Sequence, residues 1–153
     1  MHLQSCLTRW FLAFTFCMCF AGATHALDWR RVGAKTADGT SLYLDVDSLR
    51  KQPDGVYTVS ILFDQATVQQ APNGAQYLSE ARTVRIDCKG ERLADQSIVK
   101  FAGHALKGTV VQRMERSANE ANAAMEVATG QSSGQALVWA VCEFAVRGRP
   151  AGQ

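Results

Sequence analysis

The run Ser132 to Phe144, SSGQALVWAVCEF, constrains the fold of this chain more than any other stretch. Ser132 suits a helix cap, and Gln135 stands three residues on, the spacing of a capping box. From Ala136 to Cys142 no side chain is charged or strongly polar. A helix that is apolar all round has to be buried, so this one is expected to lie against a sheet. Cys142 falls near its end, and the only other cysteine outside the N-terminal segment is Cys88, at the end of a strand-like stretch. The expectation is a short C-terminal helix bonded to a sheet through these two sulfurs.

Met1 to Ala26 has the order of a secretory signal peptide: Arg9, then the uncharged run Trp10 to Ala21, then small residues. The run matches a signal core in length and is too short to span a bilayer. Cleavage is expected after Ala26, with Ala23 as second choice. Cys6, Cys17 and Cys19 leave with this segment, so two of the five cysteines stay. Phe-Thr-Phe precedes Cys17 and Phe-Cys-Met precedes Cys19. Bulky residues there argue against a lipid acceptor, so export to the periplasm or beyond, without a lipid anchor, is expected. No later stretch is long and apolar enough for a transmembrane helix.

Residues 27–145 suit one domain, and the small, polar stretch 146–153 reads as a frayed tail. Of the 16 Lys and Arg only Arg9 lies in the leader, and none of the 14 Asp and Glu does, which leaves the mature chain at +1. The two signs are interspersed and no basic stripe alternates with aromatics, so nucleic-acid binding has no support.

Strand signals fill the middle of the chain. Trp29 to Lys35 reads as a first strand, Ala37-Asp38-Gly39-Thr40 as a hairpin turn, and Ser41 to Val46 as the return, with Leu42, Leu44 and Val46 on one face. Asp47 to Arg50 reads as one helical turn and Pro53-Asp54-Gly55 as a turn, Pro fixing one φ and Gly permitting the next unusual one. Gly55 to Asp64 places Tyr57, Val59, Ile61 and Phe63 on one face, and Ala66 to Gly74 reads as a loop. Ala75 to Cys88 alternates so that Cys88 shares a side with Ile86 and Val84. Glu80 and Arg82 share that parity. Either they lie beyond the covered part of the sheet, or a bulge shifts the register. Arg92 to Phe101 and Thr109 to Met114 complete about six strands. Glu115 to Gly130 stays open between loop and helix: Ser117 to Glu120 matches a capping box, but apolar periodicity is weak. The fold class is α+β, an antiparallel sheet of about six strands with the C-terminal helix on one face.

In this order the chain resembles the surface-adhesin protein E-like domain of Gram-negative exported proteins. The matching residues are Trp29 with Val32-Gly33, Asp38-Gly39-Thr40 before Leu42-Tyr43-Leu44-Asp45, Ser48-Leu49-Arg50, Val84 to Cys88, and Gly134 to Leu137 with Val141-Cys142. The resemblance covers Trp29 to Phe144. It implies an antiparallel sheet with a C-terminal helix, an extracellular or envelope protein as partner, and adhesion to matrix proteins. It also sets Glu115 to Ala123 in a variable loop.

No chemistry competes strongly with that reading. Cys88 and Cys142 have no second cysteine beside either, so a redox Cys-x-x-Cys is absent; a zinc site needs more ligands than His104 and His25 supply. An oxidised structural pair is the simplest state for two thiols of an exported domain. His104 has no Gly-x-Ser-x-Gly nucleophile to serve and reads as an exposed loop residue. Asp45, Asp47, Asp64 and Asp87 fall at strand ends, without the spacing of a Ca²⁺ loop. Arg30, Arg31, Arg82 and Arg85 read as solvated strand faces, and Trp29 and Trp139 as core. Catalytic, cofactor and metal residues are therefore expected to be none. Two functions remain: a non-enzymatic binding module, or a soluble periplasmic accessory protein of the same fold.

Overall fold

Alternation of apolar and polar residues, broken by glycine turns, produces a meander in which each strand pairs with the next. The computed structural model describes residues 29–33, 35–129 and 133–147. The expected leader, the Ser132 cap and residues 148–153 lie outside them. Strands β1 (Trp29–Arg31), β2 (Ser41–Lys51), β3 (Tyr57–Gln70), β4 (Gln76–Asp87), β5 (Arg92–Phe101) and β6 (Val110–Glu115) lie side by side in that order, all antiparallel. Helix α1 (Ala118–Ala123), strand β7 (Glu126–Val127) and helix α2 (Ser133–Arg147) follow. The class is α+β, with a C-terminal helix on the sheet.

Strand β7 pairs with β5 at Arg92 and Leu93, next to the stretch of β5 that β6 occupies. The segment from β6 to β7 is thus one edge strand interrupted by α1. The other edge, β1, is three residues long. Short or broken edges give other chains little to pair with.

The core lies on the face that carries Leu42, Leu44, Val59, Ile61, Val84 and Ile86, and α2 covers it with Leu137, Val138 and Val141. Tight turns set the register. Gly39 has φ +83°, and a Cβ there would stand 2.8 Å from Ala66 Cβ, so both backbone and space require glycine.

Four local expectations are corrected. Asp47 to Arg50 is not a helical turn: β2 runs through to Lys51 with a bulge between Asp45 and Arg50. Ser48 Oγ closes the bulge, donating to Asp45 O at 2.6 Å and accepting from Ser60 N at 2.7 Å. The hydroxyl bridges to the neighbouring strand where the ladder is interrupted. Residues 66–70 are not loop, because β3 resumes pairing at Gln69 after a second irregularity. The last strand residue before the first hairpin is Arg31, not Lys35. Helix α2 also runs through Val146 and Arg147, two residues into the stretch read as tail.

The open alternatives are resolved. Glu80 and Arg82 sit on the core face in unbroken β3–β4 register, with Glu80 opposite Phe63 and Arg82 opposite Ile61. There charged side chains roof the sheet: Arg82 lies over the Phe63 ring, 4.4 Å from its centroid, and Lys100 over Tyr77 at 3.8 Å. Both cations bond the fully buried Glu80. The segment after Glu115 contains a short helix. Ser117 Oγ accepts from Glu120 N, and Glu120 Oε2 accepts from Ser117 N at 2.8 Å, completing the capping box.

Candidate functional site

Uniform apolarity does not bury α2 on all sides. Leu137, Val138 and Val141 form the docked stripe; Trp139, expected in the core, is 70 % exposed. Residues 136, 139, 140, 143 and 147 recur at helical spacing along the neighbouring stripe. Together with Val32, Gly33 and Phe144 they line a groove of about 620 Å³ between the helix and the segment after β1. Its walls are mostly apolar. At its rim Arg147 pairs with Glu143 at 2.8 Å, one helical turn apart.

Cys88 and Cys142 are bonded to each other. Cys88 immediately follows β4 and Cys142 lies in α2, so the bond holds the helix to the sheet. The groove is therefore built on an anchored helix rather than on a loop.

His104 is on an exposed loop, with its Nδ1 3.0 Å from Asp64 Oδ1. Ala105 and Leu106 there hold positive φ values, +50° and +61°. Asp64 accepts from Ala105 N at 3.1 Å and Ser79 Oγ accepts from Leu106 N at 2.9 Å, which offsets the cost of that backbone. The Ser79 hydroxyl also donates to Gly103 O and the residue is fully buried, so it is committed to structure and offers no nucleophile to the Asp64–His104 pair. Among the described residues no three His, Cys, Asp or Glu side chains group as metal ligands. No described helix is long and apolar enough to cross a membrane.

Two arginines and one aspartate differ from their expected exposure. Arg85 is 3 % exposed, not on a solvated face. Its Nε donates to Asn122 Oδ1 at 2.7 Å and its Nη2 to Asp54 Oδ2 at 2.5 Å. Arg82 is half-buried between Glu80 and Asp95. Asp45 is buried inside β2 rather than at a strand end. Asp87 does serve a turn, accepting from Lys89 N and Gly90 N. Trp29 is half-buried on β1.

The comparisons with known proteins agree with this architecture. No curated protein matches the sequence. Among solved structures, crystal form II of Haemophilus influenzae protein E superposes with a TM-score of 0.54 at 9 % identity, over 75 % of this chain and 87 % of that one. Protein E from non-typeable Haemophilus influenzae gives 0.53 at 9 % identity, over 78 % of each. A further Haemophilus influenzae protein E structure gives 0.51 at 10 % identity, over 82 % of this chain and 89 % of that one. At such identities the likeness is one of fold. The family model for surface-adhesin protein E matches residues 29–143, the whole described sheet and most of α2, and the chain belongs to that family.

Proposed function

We propose that this chain is an exported, non-enzymatic binding module that docks an extracellular protein through the Trp139 groove. The observation that carries the reading is the 70 % exposure of Trp139 on a helix that docks into the core along its Leu137, Val138 and Val141 stripe. Aromatic anchors dominate the energetics of protein interfaces, and an indole on a rigid element loses little freedom when it docks. Membership of a surface-adhesin family supports a partner outside the cell, with matrix proteins as the first class to test. In this reading residues 1–26 direct export and are removed, and the adhesin-like domain extends through the end of α2 at Arg147. The mature protein is periplasmic or secreted, with no lipid on Cys17 or Cys19.

The test is binding of purified mature protein to immobilised matrix proteins, beside a panel of hydrolase substrates. Saturable binding that Trp139→Ala weakens about tenfold or more, at unchanged melting temperature, supports the reading. Binding indifferent to Trp139, or hydrolysis abolished by His104→Ala, overturns it. Confinement to the soluble periplasm without matrix binding would point to the accessory role instead.

A further inference from the structure

A second pocket, of about 420 Å³, opens at the end of the sheet where β2 meets β3 and β4 meets β5. Tyr57 and Met125 give it apolar walls; Lys51, Asp54, Asp87, Lys89, Arg92 and Asn122 give it polar ones. It is separate from the Trp139 groove and shares no residue with it.

The carboxylates of this pocket are already satisfied. Asp54 Oδ2 accepts from Arg85 and from Asn122 Nδ2, and its Oδ1 accepts from Val56 N. Asp87 Oδ1 accepts from Lys89 N and Gly90 N, and its Oδ2 from Arg92 at 2.8 Å. Gly90 makes the last contact possible, since a Cβ there would stand 2.8 Å from both Arg92 Nε and Asp87 Oδ2. Each carboxylate therefore has its own arginine. The ammonium groups of Lys51 and Lys89 have no carboxylate partner among the described residues. Lys51 instead lies 6.0 Å from the centre of the Tyr57 ring. Glu91, in the same turn, lines a different small cavity beneath α2. The pocket is left with an excess of positive charge and of unused donors, beside an aromatic face.

We propose that this pocket is a binding site for an acidic saccharide, a sugar ring bearing sulfate or carboxylate. The two ammonium groups match the anionic substituent as point charges with rotatable donors. The Tyr57 ring and Met125 suit the apolar face of a sugar ring, and an acceptor-rich ligand meets a pocket whose own acceptors are occupied. The site does not depend on protein docking at Trp139, so either can fail alone.

The experiment is calorimetric titration of the mature protein with a sulfated heparin disaccharide, an unsulfated uronic-acid disaccharide, neutral maltose and inorganic sulfate. The expected result is saturable binding of an acidic disaccharide that weakens with added salt, with no binding of maltose. Lys51→Gln with Lys89→Gln should weaken it about tenfold or more, and Lys107→Gln, at the opposite end of the sheet, should not. Both substituted lysines are exposed, so the fold should survive, and an unchanged melting temperature checks this. Preference for the sulfated probe identifies sulfate as the recognised group, and equal binding of the unsulfated one identifies the carboxylate. Failure of both acidic disaccharides, inorganic sulfate binding as tightly as either, or indifference to the double substitution overturns the proposal.

Discussion

The guanidinium of Arg85 donates to the side-chain oxygen of Asn122 at 2.7 Å, and this bond ties α1 to the face of the sheet opposite the core. Arg85 alternates with Val84 and Ile86, which face α2, so its side chain leaves on the other side. Helix α1 is too short to hold itself in place. Its position rests on the capping box, on buried Ala121 and on Asn122, which bonds both Arg85 and Asp54. Asn122→Ala leaves a buried Nε–H without its acceptor and should cost about 1–2 kcal/mol, measured by urea unfolding. An unchanged midpoint would show that α1 is held by its cap and Ala121 alone.

A larger loss is expected at Glu80. It is 1 % exposed and bonds both Arg82 and Lys100, which lie over Phe63 and Tyr77. Removing the carboxylate leaves two cations over a partly dry face. Arg82 keeps Asp95, at 3.1 Å, but Lys100 loses the one carboxylate it pairs with among the described residues. Glu80→Ala should cost about 3 kcal/mol, within the range for breaking a buried pair on one side. Glu80→Met together with Lys100→Met, which removes both charges of one pair, should recover part of the loss. Equal stability of the single and double variants would contradict this account.

The pH profile should carry two opposed contributions. The Asn122 hydrogen bond and then the backbone bond to Val56 and the charge of Arg85 hold Asp54 below the ordinary aspartate value. The bond to Arg92 does the same for Asp87. A depressed carboxylate stabilises the fold above its unfolded pKa, and that contribution is lost as pH falls through the folded value. Asp95 is raised instead, by burial and by the neighbouring charge of Glu80, against Arg82 and Arg116. Its ionised form burdens the fold above the raised pKa, and the burden lifts as pH falls through it. Melting temperature should therefore hold or rise slightly on acidification toward the ordinary aspartate range and drop below it. Asp87→Asn should soften the drop, and Asp95→Asn should flatten the rise. A monotonic fall unaltered by Asp95→Asn would show that Asp95 carries no such burden.

What the sequence made legible was decided by local periodicity, and what it hid was decided by distant partners. Leu42, Leu44, Val59, Ile61, Val84 and Ile86 alternate on β2, β3 and β4, so the core face could be read directly. The Ser48 bulge could not, because the hydroxyl acts through Ser60 on the next strand. Arg85 looked like any solvated strand residue, since its partners stand 31 and 37 residues away in a turn and in α1. Helix α2 misled for the opposite reason. Ala, Val, Leu and Trp on every side give no cue to which stripe docks, so Trp139 was expected inside and lies outside. Its exposure is the feature on which the candidate groove depends. The Lys51 and Lys89 pocket was equally silent, because it gathers turn residues whose spacing follows no motif.

The last prediction concerns the bond that holds α2. Leu137, Val138 and Val141 are the buried residues of the helix, with Cys142 and Phe144 packed partly buried beside them, and its neighbouring stripe is open at Trp139. The Cys88–Cys142 bond closes a sequence separation of 54 residues. A chain-entropy treatment gives about 4 kcal/mol for a loop of that size, and measured values often fall below it. A domain of this length has a total stability of about 5–15 kcal/mol, so the contribution is a large share. Cys142→Ser should lower the melting temperature clearly, and reductant should lower the wild type but not the variant. Because α2 presents the groove, the same change should also weaken any partner that Trp139 anchors, even at temperatures where the sheet stays folded. Trp139→Ala separates the two effects: it should weaken the partner's binding about tenfold or more while the melting temperature stays close to wild type, because truncating a side chain that is mostly exposed costs only about 0.5 kcal/mol. Non-reduced peptide mapping of exported protein should recover the two cysteines in one cross-linked species. Free, alkylatable thiols at both positions, or a Cys142→Ser variant as stable as the wild type, would remove the bond from any account of how α2 is held.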